Sequence, residues 1–557
     1  MNRRASSFLV AGAMALSAWL LVARLGAPVA FDGKNFYLPM AREVLDHGWA
    51  YLSNPDSVHY APLAFLWPAL LGAREALVRE ANIALYCMAI AFAYVALRKA
   101  HSERAGVIAA VLLAICPTVR PFVADVLTES PFIFLTAAWA LCVAQVEAGG
   151  KRGWAIAGGI ALAAAALVRP AVMYFAPLAF AYFAWKRRWP LATLHGIATA
   201  GIALWVIRNA IVFGFPAISA GAGGALYFGV NPLVDGFDPP YYGMGFDSGL
   251  AQDSLNHLSI HSDRVLRGIG TLELLDTPLS YLLPMFVHKA FAFVFVSSME
   301  PSGEPIALLR GWRVAVAVLA VAGYGWNRTS ALATMLAAFV AYMVIVHVPL
   351  LYTHRYSVAL DLPLALLAAL GIAEAWRSAS RAAAALVAVG LALGAGLANA
   401  TPGPGSPMPE RIPNEVVWLG RVDGSTVVFR GDPIDVQVSR TAGTPPWDLS
   451  MLQFDLAVDP TRPGACSAVT VRFKRPSEPA FVPWRAVRVP LDRSPGPHRY
   501  TVGSTVPLIL DGSGTLRFQL DCTDAARVSM GTIAVITPKR EVYYRDLYRA
   551  RMAGKGE

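Results

Sequence analysis

Long apolar runs alternate with short charged or proline-containing breaks over the first 400 residues. Each run is about 15–20 residues long, which matches the helix length that crosses the hydrocarbon core of a bilayer. The runs are apolar on all sides, whereas a large soluble helical core would show amphipathic stripes. The pattern predicts about eleven transmembrane helices near residues 8–25, 82–97, 105–119, 130–146, 154–168, 171–185, 191–207, 309–326, 330–350, 357–374 and 382–399.

Two further apolar segments do not fit the pattern of spans. Residues 281–298 are long enough to cross but carry His288 and Lys289 centrally, and a charged lysine at mid-membrane costs about 2.5–3.5 kcal/mol. Residues 60–72 are too short to cross and hold two prolines. Both segments are therefore predicted to lie at the outer membrane interface.

After Ala400 the pattern changes to short alternating or β-branched runs separated by glycine, proline and aspartate. Their spacing is typical of a β-sandwich. Strands are predicted at 415–419, 425–429, 434–439, 451–457, 468–473, 486–490, 499–502, 506–510, 515–520 and 531–536. The chain thus divides into a transmembrane domain (1–400), a linker (401–410) and an all-β, sandwich-like domain (411–557).

The basic residues set the predicted orientation. The chain is 56% hydrophobic and 15% charged with a formal net charge of +10, and its lysines and arginines gather in short breaks between spans, as they do in cytoplasmic loops. This placement argues against nucleic-acid binding and puts the N-terminus in the cytoplasm. The β domain and two long loops, 26–81 and 208–306, then lie on the outer side. The second loop contains the glycine-rich stretch 221–224, which predicts irregular, ligand-facing structure.

The five cysteines fall into two groups. Cys87, Cys116 and Cys142 lie in or beside predicted spans and are interpreted as small apolar packing residues. Cys466 and Cys522 both lie in the β domain and would form a disulfide in an oxidising compartment.

Three acids stand at the outer ends of spans. Asp32 follows the first span, where it either carries chemistry or caps the next helix. Asp125 and Glu129 lie between the third and fourth spans at a spacing that shares one helical face, although Ser130 and Pro131 also suit a helix start. The topology brings Asp32 and Glu129 to the same membrane face, which suits base catalysis or one base beside a cation site.

Arginines also end spans on this outer face, against the positive-inside trend. Two interpretations stay open: guanidinium groups that bind a phosphate, or structural pairs with nearby acids. His354 is adjacent to one of them, and tyrosines such as Tyr37 and Tyr60 cluster in the outer loops. The arginines are Arg120, Arg169, Arg208 and Arg355.

Taken in order, these pieces resemble the GT-C class of integral membrane glycosyltransferases, and within it the bacterial relatives of protein O-mannosyltransferases and aminoarabinose transferases. The resemblance spans residues 8–375. It rests on Asp32-x4-Tyr37-x3-Ala41, Ala61-Pro62-Leu63, Thr128-Glu129, Arg169-Pro170, Trp205-x2-Arg208-Asn209, Phe213-Gly214, Gly229-Val230-Asn231-Pro232 and His354-Arg355-Tyr356.

The resemblance implies that Asp32 is the catalytic base and that Glu129 supports the site. Asp125, as a less favoured second acid, would hold a divalent cation with Glu129. The donor phosphate would meet Arg169, Arg208, His354 and Arg355. His59, which would replace a lysine of the relatives, and Lys34, which departs from their pattern, are two further predicted contacts of the phosphate. Tyr37, Tyr60, Asp125 and Asn231 are the predicted substrate contacts.

The resulting hypothesis is an enzyme of the bacterial inner membrane that moves a hexose or pentose with inversion. The donor would be an undecaprenyl-phosphate-type sugar, and the acceptor an envelope glycolipid, polysaccharide or protein at the periplasmic face. A transporter or lipid flippase is the first alternative; it predicts broken helices with charges near the bilayer midplane, whereas here the charges concentrate at the ends of spans. A non-catalytic glycan-binding scaffold is the second.

Overall fold

The computed structural model describes residues 3–30, 32–230, 259–276, 279–295 and 305–378, and thereafter 414–421, 426–429, 433–439, 451–458, 466–474, 479–481, 486–491, 496–502, 513–523 and 526–538. The chain forms two compact units. The first comprises Met1–Ala220 and Phe286–Gly405, and the second comprises Gly221–Met285 and Ser406–Glu557.

The α-helices of the chain follow the apolar runs. Those from the N-terminus to residue 213 are α1 (Arg3–Val22), α2 (Leu38–His47), α3 (Pro62–Leu70), α4 (Glu75–Ala100), α5 (Glu103–Ile115), α6 (Arg120–Val123), α7 (Glu129–Glu147), α8 (Arg152–Val168), α9 (Phe175–Trp185) and α10 (Trp189–Phe213). The later ones are α11 (Ala222–Val230), α12 (Ile260–Asp276), α13 (Leu279–Phe295), α14 (Ile306–Asn327), α15 (Ala331–His347), α16 (His354–Ser357) and α17 (Asp361–Ser378).

The chain is a multi-pass membrane protein. Within the described residues, six helices are long and apolar enough to cross a membrane: Arg4–Val22, Glu75–Ala100, Glu129–Glu147, Trp189–Phe213, Ala307–Asn327 and His354–Arg377. Arg152–Val168, Pro170–Trp185 and Ala331–His347 are apolar but shorter. Each predicted span up to 357–374 overlaps a helix. The span predicted at 382–399 lies outside the described residues, so the total of eleven stays a prediction.

Helix packing in the first unit centres on α7. This helix lies between α4 and α8, α10 packs on α8, and α17 packs on α14 and α5. The tightest crossing joins α14 and α17 at Gly323 and Gly371, where a Cβ atom on either glycine would overlap a backbone carbonyl of the other helix, that of Leu367 or Leu319 respectively. Small residues at such a crossing let membrane helices approach closely.

The two loops predicted on the outer side contain helices. The segments predicted as interfacial helices do form helices, α3 and α13, and their depth in the membrane stays a prediction. The glycine-rich stretch was predicted to be irregular, and this is wrong for residues 222–224, which begin α11. A Cβ on Gly223 would overlap the Asp263 carbonyl of α12, and its N–H donates to the buried Asp263 carboxylate at 2.7 Å. The glycine therefore serves close helix packing rather than a loop.

The C-terminal part forms two antiparallel sheets, with strand orders β1-β9-β4-β7, where β2 also pairs with β9, and β3-β8-β5-β6. The strands are β1 (Asn414–Arg421), β2 (Thr426–Phe429), β3 (Ile434–Ser439), β4 (Met451–Val458), β5 (Cys466–Lys474), β6 (Ala486–Pro490), β7 (Gly496–Val502), β8 (Ser513–Cys522) and β9 (Ala526–Pro538). Each predicted strand within the described residues is present, and the one predicted at 506–510 lies outside them.

Buried side chains join the two sheets and the strands within them. The Phe454 ring of β4 packs against the Phe518 ring of β8 with 5.2 Å between their centroids, so the sheets contact each other at this point. Cys466 and Cys522 stand opposite each other on β5 and β8 and form a disulfide. Cys116 and Cys142 are free and buried, and Cys87 is free and half-buried.

Candidate active site

Asp32 stands at the start of a π-helical turn, Gly33–Tyr37, that leads from α1 into α2. Gly33 packs so closely on Val126 that a Cβ atom on the glycine would lie 2.9 Å from the Cβ of Val126 and against its carbonyl oxygen. Single turns of π-helix are rare and are frequent at functional sites. The close contact fixes the turn that carries Asp32 against the segment that leads to Glu129.

Asp125 ties these two segments together through the backbone. Its Oδ2 accepts a hydrogen bond from the Ala30 N–H at 3.0 Å, and its Oδ1 accepts from the Val126 N–H at 2.6 Å. Burial raises the pKa of Asp125. The Asp125 carboxylate thus accepts from backbone N–H groups and anchors the two segments beside the site. The sequence instead predicts Asp125 as a substrate and metal contact.

Arg79 of α4 supports the same region from behind. It is 4% exposed, and its guanidinium donates to the carbonyls of Ala124, Ala27 and Arg24 at 2.9, 3.0 and 2.9 Å. One side chain therefore ties the end of α1 to the α6–α7 connection. No motif singles Arg79 out in the sequence, although an arginine beside an apolar run is itself a signal of an unusual role.

Glu129 is the first residue of α7 and is fully buried. Its Oε1 accepts hydrogen bonds from Arg169 at 2.7 Å and from Arg355 at 2.6 Å. Its Oε2 is buried and has no hydrogen-bond partner among the described residues. A buried carboxylate is stable only when it is paired, and the two guanidinium groups supply that pairing.

Arg355 connects the acids. Its Nη1 donates to the Asp32 carboxylate, its Nε donates to Glu129, and its Nη2 donates to the Tyr37 hydroxyl at 3.1 Å. Burial raises the pKa of Tyr37 far above its usual range, so the phenol stays protonated. Only a guanidinium presents donors in several directions within one plane. The structure therefore brings Asp32, Glu129, Arg355 and Tyr37 into one cluster, with Arg169 at its buried side.

A second buried ion pair lies behind Arg355. Arg313 of α14 and Asp361 of α17 are both almost fully buried, and Arg313 Nε lies 2.9 Å from Asp361 Oδ1. Arg313 also donates to the Ser357 carbonyl at 2.8 Å, and the Thr118 hydroxyl donates to Asp361 at 2.6 Å. These contacts hold the last turn of α16, the short helix that carries Arg355. Neither Arg313 nor Asp361 is among the residues predicted from the sequence.

Of the remaining predicted phosphate contacts, Lys34 lies in the turn that follows Asp32, and His59 and Arg208 have partners outside the cluster. Lys34 is exposed two positions after Asp32. His59 is buried, with its Nε2 3.3 Å from Asp56. Arg208 donates to the Leu52 carbonyl and, at 2.6 Å, to Asn209.

His354 faces away from solvent. It is 1% exposed, its ring lies 5.4 Å from the Phe122 ring, and both ring nitrogens lack a hydrogen-bond partner among the described residues. This burial favours a packing role. Tyr60 stacks edge-on against Tyr37 with 5.0 Å between the rings, and Asn231 lies outside the described residues.

The carboxylates do not form a ready metal site. No group of three or more histidine, cysteine, aspartate or glutamate side chains in the described part of the chain could hold a metal ion. Arg355 stands between Asp32 and Glu129, and both oxygens of Asp125 accept from backbone N–H groups. Carboxylate oxygens that already accept from a guanidinium and from backbone N–H groups do not fit a divalent cation. The cation at Asp125 and Glu129 stays a prediction.

Residues 60–213 match the protein family described as dolichyl-phosphate-mannose-protein mannosyltransferase. The matched segment runs from the approach to α3 to the end of α10, and it includes Asp125, Glu129, Arg169 and Arg208. For this segment, the resemblance predicted from the sequence is confirmed. Among curated proteins, no sequence matches the chain.

Three solved structures, of two proteins, show similarity at low identity. The apo oligosaccharyltransferase of Archaeoglobus fulgidus is 15% identical, with a TM-score of 0.44 over 71% of this chain and 54% of the archaeal chain. The same archaeal protein, AglB, with an inhibitory peptide and a dolichol-phosphate gives 15% identity and a TM-score of 0.40 over 72% and 56%. ArnT from Cupriavidus metallidurans bound to undecaprenyl phosphate gives 16% identity and a TM-score of 0.30 over 68% and 80%. The chain thus spans about half the length of the archaeal protein.

Proposed function

We propose that this chain transfers a sugar from a polyprenyl-phosphate donor to an envelope acceptor, which is a glycolipid, a polysaccharide or a protein. The reaction takes place at the periplasmic face of a bacterial inner membrane, with the N-terminus in the cytoplasm. The observation that carries the proposal is the cluster in which Arg355 joins Asp32 to Glu129. Because Asp32 follows α1 and Glu129 begins α7, this cluster of charges lies at the ends of apolar helices, where a lipid phosphate would meet the protein.

Exposure assigns different roles to the two acids. The Asp32 side chain is 27% exposed, whereas that of Glu129 is 0% exposed. Only a carboxylate that reaches solvent can take a proton from an acceptor hydroxyl, so Asp32 is the base. Glu129 is a positioning residue because it fixes the guanidinium groups of Arg169 and Arg355. This assignment supports the roles that the family resemblance implies.

The proposed reaction is a single displacement. The acceptor hydroxyl gives its proton to Asp32 while its oxygen forms a bond to the anomeric carbon of the sugar. The bond from that carbon to the phosphate oxygen breaks, and the electron pair leaves with the polyprenyl phosphate. One base and no covalent intermediate give inversion of the anomeric centre.

Negative charge that develops on the departing phosphate needs cations already in place. Arg355 is held by two acids and a phenol and so has a fixed orientation, and Lys34 is exposed in the same turn as Asp32. We assign the phosphate to these two groups. Guanidinium and phosphate match geometrically in a way that an ammonium does not, so Arg355 orients the phosphate and Lys34 adds charge.

Two experiments in sequence test the proposal. Mass spectrometry of envelope glycans from a strain that lacks this protein identifies the missing sugar and its acceptor. The purified protein in proteoliposomes is then assayed with that acceptor and the polyprenyl-phosphate form of that sugar. Asp32→Asn should lower the turnover rate by about 10²–10⁴-fold, because general base catalysis contributes that much.

A matched control is available in the same outer loop. Asp46 is an exposed aspartate of α2, and Asp46→Asn should keep the wild-type rate. Wild-type transfer by Asp32→Asn would refute the assignment of the base. An unchanged set of envelope glycans in the deletion strain would refute sugar transfer itself.

A further inference from the structure

The four-stranded sheet β3-β8-β5-β6 has one apolar face and one polar face. Because side chains alternate along a strand, the register separates the two sets. Val469 and Val471 of β5 stand opposite Leu520 and Phe518 of β8, and all four are at most 5% exposed. The residues between them point to the other side of the sheet.

That other side carries polar and charged side chains in rows across the strands. Asp435 of β3 stands opposite Arg517 of β8, which stands opposite Arg472 of β5. The next row holds Gln437, Thr515 and Lys474, and a third holds Gln519 and Thr470. We call this set the polar sheet face: Asp435, Gln437, Thr470, Arg472, Lys474, Thr515, Arg517 and Gln519.

Charge on the polar sheet face is unbalanced. Arg517 forms a two-pronged ion pair with Asp435, with both contacts at 2.7 Å, and this pair lowers the pKa of Asp435. Arg472 stands directly across from Arg517, and like charges in that position destabilise a sheet. The Arg472 Nε is buried and has no hydrogen-bond partner among the described residues. Three cations of this set therefore stand against Asp435, and Asp521 lies two positions beyond Gln519 on the same side of β8, so the face keeps a small excess of positive charge.

An aromatic ring holds the cations in place. The Phe481 ring lies over the Arg517 guanidinium at 4.2 Å and over the Lys474 ammonium at 5.6 Å. Such cation–π contacts favour charged groups that stay beside the ring. Positions Arg472 and Lys474 lie about 7 Å apart along the strand, and neighbouring strands lie about 5 Å apart. The Phe481 ring thus holds two of the three cations beside each other, and Arg472 lies next to both in the register.

We propose that the polar sheet face binds an anionic saccharide chain, held through Arg472, Lys474 and Arg517. Carboxylate or phosphate groups along the chain pair with the cations by charge-assisted hydrogen bonds. The threonine hydroxyls and glutamine amides between the cations donate to and accept from sugar hydroxyls. The inference rests on the proposed function, since it identifies this saccharide as the acceptor of the transfer.

Binding of a saccharide probe to the full-length protein tests the inference. The protein is placed in nanodiscs of neutral phosphatidylcholine, and fluorescein-labelled oligogalacturonate is titrated with an anisotropy readout. The double variant Arg472→Gln/Lys474→Gln should weaken binding by about tenfold or more, because it removes two charge-assisted contacts. Labelled maltoheptaose, a neutral oligosaccharide, should bind the wild type and this variant equally weakly.

A matched double variant distinguishes binding at the polar sheet face from attraction by the net positive charge of the protein. Lys151→Gln/Arg152→Gln removes two exposed cations at the start of α8 and should leave oligogalacturonate binding unchanged. An equal loss in both double variants would overturn the proposal, because attraction would then come from net charge alone. Wild-type binding by Arg472→Gln/Lys474→Gln would also overturn it.

The binding experiment tests the polar sheet face separately from the proposed reaction, because it measures saccharide binding without turnover. Asp32→Asn should bind oligogalacturonate as the wild type does. If Asp32→Asn kept full transfer activity while the two sheet substitutions abolished binding, the assignment of the base would fail and the saccharide face would stand.

Discussion

The Arg355 guanidinium donates a hydrogen bond to the carboxylate of Asp32, which lies 323 positions earlier in the chain. The same guanidinium donates to Glu129 at 2.6 Å. One side chain thus connects the turn after α1, the start of α7 and the turn before α17. The geometry of the proposed site therefore depends on this connection.

Arg355→Lys should abolish most activity although it keeps the charge. A lysine ammonium cannot donate to Asp32, Glu129 and Tyr37 together in one plane. We expect the turnover rate to fall by about 10²–10³-fold, the cost of losing one preorganised donor to developing charge. Arg120→Lys is the control, since Arg120 donates only to the Ile115 carbonyl at 3.0 Å among the contacts of described residues. Equal turnover rates for Arg355→Lys and the wild type would show that the guanidinium geometry of Arg355 is not needed.

Glu129→Gln should destabilise the first unit rather than only slow the reaction. The neutral amide leaves Arg169 and Arg355 without the buried negative charge that both contact. Removal of one partner from a buried ion pair typically costs about 3–5 kcal/mol. Thermal unfolding in detergent measures the loss, with Asp46→Asn as a surface control. A melting temperature like that of the wild type would show that Glu129 is not a structural partner of these arginines.

Gly33→Ala should disturb the site through the backbone. A Cβ at this position would meet the Val126 Cβ at 2.9 Å, so the turn that carries Asp32 must shift. We expect a loss of activity of about 10²-fold, as displacements of about 1 Å often produce in active sites. Gly26→Ala is the matched control, since a Cβ there meets nothing within 4 Å. The two variants should differ in turnover rate while their yields in the membrane are similar.

Gly323→Ala should weaken the crossing of α14 and α17. Its methyl group would overlap the Leu367 carbonyl, whereas a methyl on Gly325 of the same helix meets nothing within 4 Å. Because overpacking costs about 1–3 kcal/mol, thermal unfolding should show a lower melting temperature for Gly323→Ala than for Gly325→Ala. Identical melting temperatures would mean that α14 and α17 accommodate the methyl group without a loss of stability.

Cys466→Ser/Cys522→Ser should destabilise the C-terminal part. The disulfide closes a sequence separation of 56 residues, and the chain-entropy model gives about 4 kcal/mol for a loop of that length. Limited proteolysis of the full-length protein should cut the double variant after 400 at lower protease concentration than the wild type. Cys87→Ser, at a free and half-buried cysteine, should leave the cleavage pattern unchanged.

Features that repeat along the chain were predictable from the sequence. Apolar runs such as 130–146 and 191–207 lie on α7 and α10, and the alternation at 434–439 coincides with β3. The sequence predicts Asp32 and Glu129 as site residues because a carboxylate at the end of an apolar run is unusual wherever it occurs. Apolar runs, alternation and a carboxylate at the end of a run can each be recognised from residues that are adjacent in the sequence.

Contacts across the sequence were not predictable in this way. Arg79 and Arg313 reach carbonyls and acids on distant helices, and nothing near them in the chain indicates those partners. The glycines at 223 and 224 predict a loop by their conformational freedom, but in the structure the small size of Gly223 serves the close packing of α11 on α12. The sequence alone does not decide whether the arginines bind phosphate or pair with acids, and the structure shows acid partners for Arg169 and Arg355.

Two arginines and two acids meet around Glu129, so the cluster carries no formal surplus of charge. Arg355 donates three of the five N–H groups of its guanidinium, to Asp32, Glu129 and Tyr37. An incoming anion would accept from the other two and would share the positive charge with both acids. Ligand binding and the contact that holds Asp32 would therefore be coupled through one guanidinium.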